Sequence, residues 1–245
     1  MTMRPLMIIV LSLALLATAV AWQSGWLSGG GFSLNQIAIA GDLTTEQRKA
    51  LYQHLVDHAE DLQDIGKIKQ SLDNIEWIHH VAVSRGWPDR LVIKCVEEVP
   101  IAYWNDDAFI NDEGVVFRSE YETGGELSQL YGPVGEEKAV MQQFQELSNA
   151  LLTSGQTIEV LKLDERGSWQ FVSASGTTVK LGKDDVLERL QRYIKVVESA
   201  GLQEKMDQVA VVDTRYSNGV AVQWKGSAEN MDIANNTKSQ RELRL

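Results

Sequence analysis

The chain has one cysteine, Cys95, among its 245 residues. A single thiol forms no intrachain disulfide and no CxxC metal or redox site, so we expect a small buried hydrophobic side chain there. Basic residues are also scarce: 23 Lys and Arg stand against 34 Asp and Glu, for a net charge of −11. Binding to phosphate backbones needs clustered Lys and Arg. The sequence has no such cluster, so nucleic acid is not expected as a partner.

The sequence motifs of common catalytic and nucleotide sites are missing as well. There is no Gly-x-Ser-x-Gly elbow, phosphate loop or Gly-x-Gly-x-x-Gly run. His54 and His58 are four residues apart on a predicted helix and could share a metal, but no third ligand is evident and a solvated helix face is the simpler interpretation. The acidic residues between 106 and 113 lack the spacing of a calcium loop and suit a hairpin turn. We expect no catalytic residue, cofactor or metal.

An uncharged segment runs from residue 6 to residue 27. About 20 helical residues span the hydrocarbon of a bilayer, and Trp22 and Trp26 would suit its interface. The same composition also fits a cleaved signal peptide with Ala-Val-Ala at 19 to 21, and the residues alone leave both interpretations open. Arg4 precedes the segment, and no Lys or Arg follows before Arg48, which predicts that the bulk of the chain lies outside the cytoplasm.

The pattern of apolar and turn residues over 32 to 99 predicts the order strand, helix, helix, strand, strand. Thr44 and Gln47 form a capping-box pattern at the first helix, and Asp64 precedes the second. Two strands flank a Gly-Trp-Pro-Asp turn, at 78 to 84 and 90 to 98. Alternation in the later strand predicts a buried face of Leu91, Ile93 and Cys95. We expect the helices to cover one face of a three-stranded sheet.

Residues 100 to 225 predict a second domain of mixed α/β structure with a mainly antiparallel sheet, so that the whole chain is of the α+β class. Turn residues separate the predicted strands, which are 107–110, 115–117, 157–164, 168–174, 177–181, 208–213 and 219–224. Apolar residues at helical spacing predict helices over about 140 to 151 and 185 to 199. Gly155 is placed to end the first of these helices. We expect residues 119 to 135 to be a loop and residues 226 to 245, which are polar, to be disordered.

Several short motifs, taken in order, resemble the FtsQ family of bacterial cell-division proteins. They are a Trp-Pro-Asp turn at 87–89, Leu-x-Ile at 91–93, Glu-x-x-Pro-Ile-Ala-x-Trp at 97–104, Leu-Tyr-Gly-Pro at 130–133, and an ending with Arg215-Tyr216 and Trp224. The resemblance spans residues 6 to about 225. It implies a single-pass inner-membrane protein with a cytoplasmic tail of residues 1 to 5, shorter than is usual in the family, and a transmembrane helix over 6–27. A POTRA domain over 32–99 and a β domain over 100–225 would then lie in the periplasm.

The resemblance also implies a function and partners. Members of the family are division scaffolds rather than enzymes, and their last strand lies at a sheet edge and adds a strand from FtsB, which itself pairs with FtsL. An exposed edge offers unpaired backbone groups that recruit a partner strand. Carried to this sequence, the partner-binding residues are Arg215, Tyr216, Trp224, Val220 and Val222, with Arg166 as a second ion-pair candidate. The alternative for Val220, Val222 and Trp224 is packing on the last helix.

On the POTRA-like part, the resemblance implies a further partner surface at His80, Val83, Arg85 and Glu97. An ordinary sheet face with a charge pair is the alternative. Two other functions remain open for the whole chain: a periplasmic enzyme or cell-wall binder anchored to the inner membrane, and a POTRA domain that feeds an outer-membrane barrel. A convergent pocket of titratable residues would favour the enzyme, whereas the barrel needs many more alternating strands than the sequence offers.

Overall fold

The computed structural model of the protein describes residues 37–62, 64–87, 90–122, 124–199, 202–217 and 219–226. They fall into two compact units divided between Val96 and Glu97. The predicted cytoplasmic tail, transmembrane segment and disordered tail lie outside the described residues. Within the described part, no helix is both long enough and apolar enough to cross a membrane.

The first unit has the predicted order of elements. In chain order they are β1 (Ile37–Ala40), α1 (Thr45–Asp57), a 3-10 turn (Ala59–Asp61), α2 (Ile65–Asp73), β2 (Ile78–Gly86) and β3 (Arg90–Glu97). The sheet order is β1-β3-β2, with β1 parallel to β3. Thr44 and Gln47 form the predicted capping box, in which Thr44 Oγ1 accepts from Gln47 N at 3.2 Å and Gln47 Oε1 accepts from Thr44 N at 2.7 Å. Asp64 caps α2 by accepting from Gly66 N.

Alternation along β3 builds the core of this unit. Leu91 and Ile93 are fully buried and Cys95 is 3% exposed, whereas Val96 on the other face is 53% exposed. Leu51 and Leu55 of α1 and Ile68 and Leu72 of α2 are buried as well. The predicted buried face and the predicted role of Cys95 as a small hydrophobic side chain are therefore confirmed.

The second unit is a nine-stranded sheet with two longer helices packed on it. Its elements are β4 (Ala102–Trp104), β5 (Ala108–Ile110), β6 (Val116–Phe117), β7 (Ser128–Tyr131), α3 (Glu137–Leu151), β8 (Ile158–Leu163), β9 (Trp169–Ser173), β10 (Thr178–Gly182), α4 (Val186–Ser199), β11 (Val209–Asp213) and β12 (Ala221–Trp224), with 3-10 turns at Leu152–Ser154 and Gln203–Gln208. The strand order is β12-β11-β10-β9-β8-β7-β4-β5-β6. Five of the eight strand pairs recorded among the described residues are antiparallel, which confirms the mainly antiparallel sheet.

Two central strands contradict the sequence-based expectation. Residues 119 to 135 were expected to form a loop, but β7 lies inside that range, between β4 and β8 and parallel to both. β4, directly after Pro100, had no predicted strand. β7 pairs with strands that are far away in sequence, and β4 is only three residues long although it also pairs with the neighbouring β5, so no local alternation marks either strand. Leu130 of β7 is fully buried, which explains why the chain orders there.

The helices cover the apolar face of this sheet. α3 follows β7 and precedes β8, which makes the β7-α3-β8 connection a crossover between parallel strands. Tyr193 of α4 is fully buried, stacks edge-on against Phe171 with 5.9 Å between ring centroids, and donates to Gln156 Oε1 at 2.6 Å. Burial raises the pKa of Tyr193 to about 12. Gly155 has the left-handed conformation expected of a cap, with φ at 66°.

Candidate partner-binding edge of the sheet

β12 is the terminal strand of the second sheet. It pairs antiparallel with β11, with Val222 opposite Val212 and Ala221 opposite Asp213. Within the described residues no strand pairs with its outer side. The predicted strand began at residue 219, two residues before the observed one. The outer backbone groups of β12 are therefore positioned to take another strand.

Some side chains of β12 pack against the core, and others are exposed on the surface. Val220, just before β12, and Val222 within it pack against the core, which is the alternative that the sequence left open for them. Ala221 and Gln223 are exposed on the other face. Trp224 is 39% exposed, so its ring is partly covered and partly available to a partner. A large aromatic at a sheet edge can contribute to both packing and recognition.

The turn between β11 and β12 is fixed at its first residue. Thr214 is fully buried, and both its backbone N and its Oγ1 donate to Lys180 O, at 3.0 Å and 2.9 Å. These bonds extend the parallel pairing of β10 and β11 by one residue. Tyr216, two residues on, is 59% exposed. The ring of Tyr216 is thus presented next to β12 from a turn whose start cannot move without breaking buried bonds.

Arg192 of α4 also fixes this turn, a role that no sequence pattern predicts. Its Nη1 donates to Tyr216 O at 2.6 Å and to Thr214 O at 3.3 Å, and its Nη2 lies 3.3 Å from Glu188 Oε1. Hydrogen bonds from a charged donor are stronger than neutral ones. Arg192 lies on the predicted helix, but only the tertiary structure brings that helix face to the turn. It positions Tyr216 rather than offering itself to a partner.

Arg215 is already engaged within the chain. Its Nε lies 2.9 Å and 3.1 Å from the two carboxylate oxygens of Asp213, and its backbone N donates to Asp213 Oδ1 at 3.1 Å. Its stem passes over Gly182, whose φ is 79° and where an added Cβ would lie 3.1 Å from Arg215 Cγ. Hydrogen bonding to Arg215 holds the pKa of Asp213 below its usual range. An acidic partner residue would therefore join an existing pair.

Arg166 lies at the same end of the sheet but not beside β12. It sits in the turn between β8 and β9, where its backbone N donates to Asp164 Oδ1 at 2.9 Å. β10 and β11 separate β9 from β12, which at the usual strand spacing is roughly 14 Å. Its nearer surroundings are an open cleft of about 520 Å³ lined also by Asn105, Tyr131 and Lys162. The structure therefore separates Arg166 from the other predicted residues of the edge.

The four predicted residues of the POTRA surface lie on adjacent strands. His80, Val83 and Arg85 belong to β2, and Glu97 ends β3. His80 is exposed beside the fully buried Val81, and strand alternation places Val83 on the same side as Val81. His80 and Val83 thus face opposite sides of the sheet, so the four do not form one continuous face.

His54 on α1 is more covered than the solvated face that the sequence predicts, whereas His58, at the end of the helix, is exposed as predicted. The rings of His54 and His58 stack with 4.4 Å between centroids. His54 is half-buried, and its Nε2 hydrogen-bonds Ser71 Oγ on α2. Burial, with a smaller contribution from His58, lowers the pKa of His54. The described residues contain no group of three His, Cys, Asp or Glu side chains that could hold a metal ion.

Comparison with known proteins assigns both units. Residues 32–98 match the model of the FtsQ-type POTRA domain, and residues 102–215 match the C-terminal model of the cell division proteins FtsQ/DivIB. The chain is 31% identical over 201 residues to cell division protein FtsQ of Methylomonas methanica, a match that covers 80% of this chain and 77% of the relative. The chain belongs to the FtsQ family.

Other FtsQ relatives match over less of their own length. Cell division protein FtsQ of Cellvibrio japonicus is 34% identical over 167 residues, covering 68% of this chain and 52% of that protein. The protein of the same name from Coxiella burnetii is 33% identical over 159 residues, covering 64% of this chain and 65% of that protein. The chain thus spans between half and two thirds of these two relatives.

The FtsQ/DivIB model ends at Arg215, before the edge strand begins. Tyr216, Val220, Val222 and Trp224 lie beyond the matched residues. The family match therefore does not bear on the predicted role of these residues, and the geometry of β12 and its turn is what bears on it.

Proposed function

We propose that this FtsQ-family chain is a non-enzymatic scaffold of bacterial cell division, held in the inner membrane by residues 6–27 with its two units in the periplasm at the septum. It would gather other division proteins there. FtsB would be its direct partner, and FtsL would join through FtsB. The observation that supports this function is β12, a terminal strand with no pairing strand on its outer side among the described residues and with two partly exposed aromatic side chains beside it.

The proposed contact is strand addition to β12. Backbone hydrogen bonds to the outer edge would supply affinity, and side chains at alternate positions would supply selectivity. Trp224 and Tyr216 are the aromatic anchors, and Arg215 offers its half-exposed guanidinium to an acidic residue of FtsB. Val220 and Val222 would support the strand from the core side.

Two more distant sites would make secondary contacts. Arg166, in the β8–β9 turn at the same end of the sheet, would meet a longer segment of FtsB that runs on past the β11–β12 turn. In the POTRA unit, His80, Val83, Arg85 and Glu97 would meet other division proteins from both sides of β2 rather than through one patch. Each of these contacts would be weaker than strand addition at β12. The charged groups are exposed to solvent, and the residues of the POTRA unit lie on opposite sides of the sheet.

The cleft beside Arg166 is the feature that bears on the alternative of a periplasmic enzyme or wall binder. It contains charges of both signs, Lys162 and Arg166 with Asp164 and Glu165. The Asp164 carboxylate, however, accepts from the backbone N of Arg166 and of Ser168, at 2.9 Å and 2.7 Å, and so shapes the turn. This arrangement serves the hairpin and does not favour the enzyme.

The test is binding of the full chain, reconstituted in nanodiscs, to the periplasmic segment of FtsB from the same organism. Tyr216→Ala and Trp224→Ala are each expected to weaken binding by about tenfold or more, the scale of an interface hot spot. Val134→Ala is the matched control, since Val134 is 95% exposed in the same unit and lies outside the proposed edge. Equal loss in the control, or no loss in either folded edge variant, would contradict strand addition at β12.

A further inference from the structure

Trp87 stands at the tip of the β2–β3 hairpin and is 94% exposed. The other tryptophan described in this unit, Trp77, is 8% exposed. An indole ring left in water loses the apolar contacts that it would otherwise make, and Trp favours the headgroup region of a bilayer, where its ring is covered and its N–H stays hydrated. The exposure of Trp87 therefore calls for a surface that could cover it.

Strand register places this tip at the end of the sheet where the preceding chain enters. β1 and β3 are parallel, with Ile37 opposite Leu91. β3 begins at Arg90, directly after the hairpin turn. Ile37, the first residue of β1, is therefore beside the base of the hairpin tip, and the opposite end of the sheet holds the turn at Gly41, where an added Cβ would lie 2.3 Å from Cys95 O.

The chain before β1 limits how far this end can be from a membrane. The predicted membrane segment ends at residue 27, which leaves residues 28 to 36 before Ile37. Fully extended, such a linker spans at most about 30 Å. If residues 6–27 cross the bilayer, the end of the sheet that carries Trp87 is the end tethered to it. The length of the linker lets the hairpin reach the headgroup region.

Charge at this end indicates how such a contact would form. α1 runs back along β1, since Arg48 Nη1 donates to Ile39 O at 2.6 Å and Tyr52 OH donates to Ile37 O at 3.3 Å. The acidic residues that end α1 and follow it thus lie toward the same end as Trp87: Asp57, Glu60 and Asp61. They oppose anionic lipid, while Arg90 at the tip favours it. Partition of the indole ring, rather than net charge, would supply the attraction.

We propose that Trp87 docks into the phospholipid headgroup region of the bilayer that anchors the chain, and so fixes the orientation of the POTRA unit against the membrane. The inference rests on the anchor in the proposed function. It makes the hairpin tip a second membrane contact, and it would leave the opposite end of the sheet, from which the chain continues to the second unit, directed away from the lipid.

The experiment uses the full chain in phosphatidylcholine nanodiscs that contain a lipid with a nitroxide on its headgroup. Cys95, which is buried, is replaced by Ala so that a fluorophore reports one introduced cysteine at a time. Arg90→Cys places the fluorophore at the tip, Asp42→Cys places it on an exposed residue at the other end of the sheet, and Trp22→Cys places it in the predicted anchor. Circular dichroism checks that each variant is folded.

The inference predicts that the nitroxide quenches the fluorophore at positions 22 and 90 but not at position 42, and that adding Trp87→Ser to the Arg90→Cys chain removes the quenching at 90. Quenching at 22 with none at 90 would overturn the inference that Trp87 contacts the membrane, while still supporting residues 6–27 as the membrane anchor. No quenching at 22 would overturn both. Quenching at 90 that survives Trp87→Ser would also overturn it, since the indole ring would not be the membrane contact.

Discussion

Asp213 and Arg215 form a forked ion pair across the end of β11, with Arg215 Nη2 at 2.5 Å from Asp213 Oδ2 and Nε at 2.9 Å from Oδ1. The Asp213 side chain is 15% exposed and that of Arg215 is 53% exposed. A mostly covered carboxylate thus holds a cation whose other side is open to solvent. This pair orients the start of the turn that carries Tyr216 and leaves Arg215 able to contact a second acidic group.

The pair predicts a pH-dependent contribution to stability. Hydrogen bonding to Arg215 lowers the pKa of Asp213 in the folded chain. The contribution is therefore present above the unfolded value of about 3.9 and is lost as the pH falls through the lowered pKa. Asp213→Asn is expected to reduce the free energy of unfolding at pH 7 by up to about 1 kcal/mol, because the half-exposed Arg215 leaves the pair screened by solvent.

Urea unfolding at pH 7 and in acid measures this difference. Asp107→Asn is the control, since Asp107 pairs with Arg118 at 2.9 Å but its side chain is 70% exposed. The control should change stability little at either pH. A deficit of Asp213→Asn that stays constant into strong acid would contradict the role of its charge.

Arg192→Gln removes the cationic donor to Tyr216 O and Thr214 O. The turn should then loosen, with faster amide exchange at residues 215 to 217 and weaker binding of FtsB, while the strands keep their protection. Loss of a charge-assisted bond costs about 1.5–3 kcal/mol when the acceptor is left unpaired. Lys195→Gln on the exposed face of the same helix is the control and should leave both readouts unchanged. Unchanged exchange at the turn in Arg192→Gln would refute the positioning role.

Gly114→Ala tests a close approach between the β5–β6 turn and α3. Gly114 has φ of 76°, and an added Cβ would lie 2.7 Å from Lys138 Cα. Gly155 has a similar φ of 66°, but an added Cβ there would meet nothing within 4 Å. Backbone strain should lower the free energy of unfolding by about 1 kcal/mol in both variants. Overpacking against Lys138 should lower it by about 1–3 kcal/mol more in Gly114→Ala. Equal melting temperatures for the two variants would contradict the close approach.

The lowered pKa of His54 predicts that the protein loses stability below neutral pH. Its pKa is lowered in the folded chain by burial. The unfolded state therefore binds a proton first, and stability should fall as the pH drops below the unfolded value of about 6.5. His54→Gln should flatten this dependence in unfolding experiments between pH 7 and pH 5, whereas His79→Gln, at an exposed position, should not. A wild-type chain equally stable across this range would contradict the prediction.

Local chemistry in the sequence was sufficient to predict the POTRA unit. The Thr44–Gln47 capping box and the alternation from Leu91 to Cys95 act over a few residues, so the pattern and the structure agree. β4 and β7 were missed because both are short and pair in parallel with strands far along the chain, although β4 also pairs with the adjacent β5. Tertiary pairing decides such strands.

The candidate edge was only partly predictable for the same reason. An Asn-Gly turn and a β-rich run indicated the last hairpin, and the structure places β12 at the edge. No sequence pattern showed that Arg192 reaches Tyr216 O, or that two strands separate Arg166 from β12. Likewise, the burial of His54 against Ser71 depends on the packing of α1 on α2.

Amide hydrogen exchange along the backbone of β12 tests whether this strand takes a partner strand. The full chain in nanodiscs would be compared with and without the periplasmic segment of FtsB. We expect new protection of the outward-facing amides within Ala221–Trp224 on binding. We also expect Val222→Pro, which removes a backbone donor, to lose both this protection and the affinity for FtsB. Tight binding with no added protection anywhere in β12 would contradict strand addition.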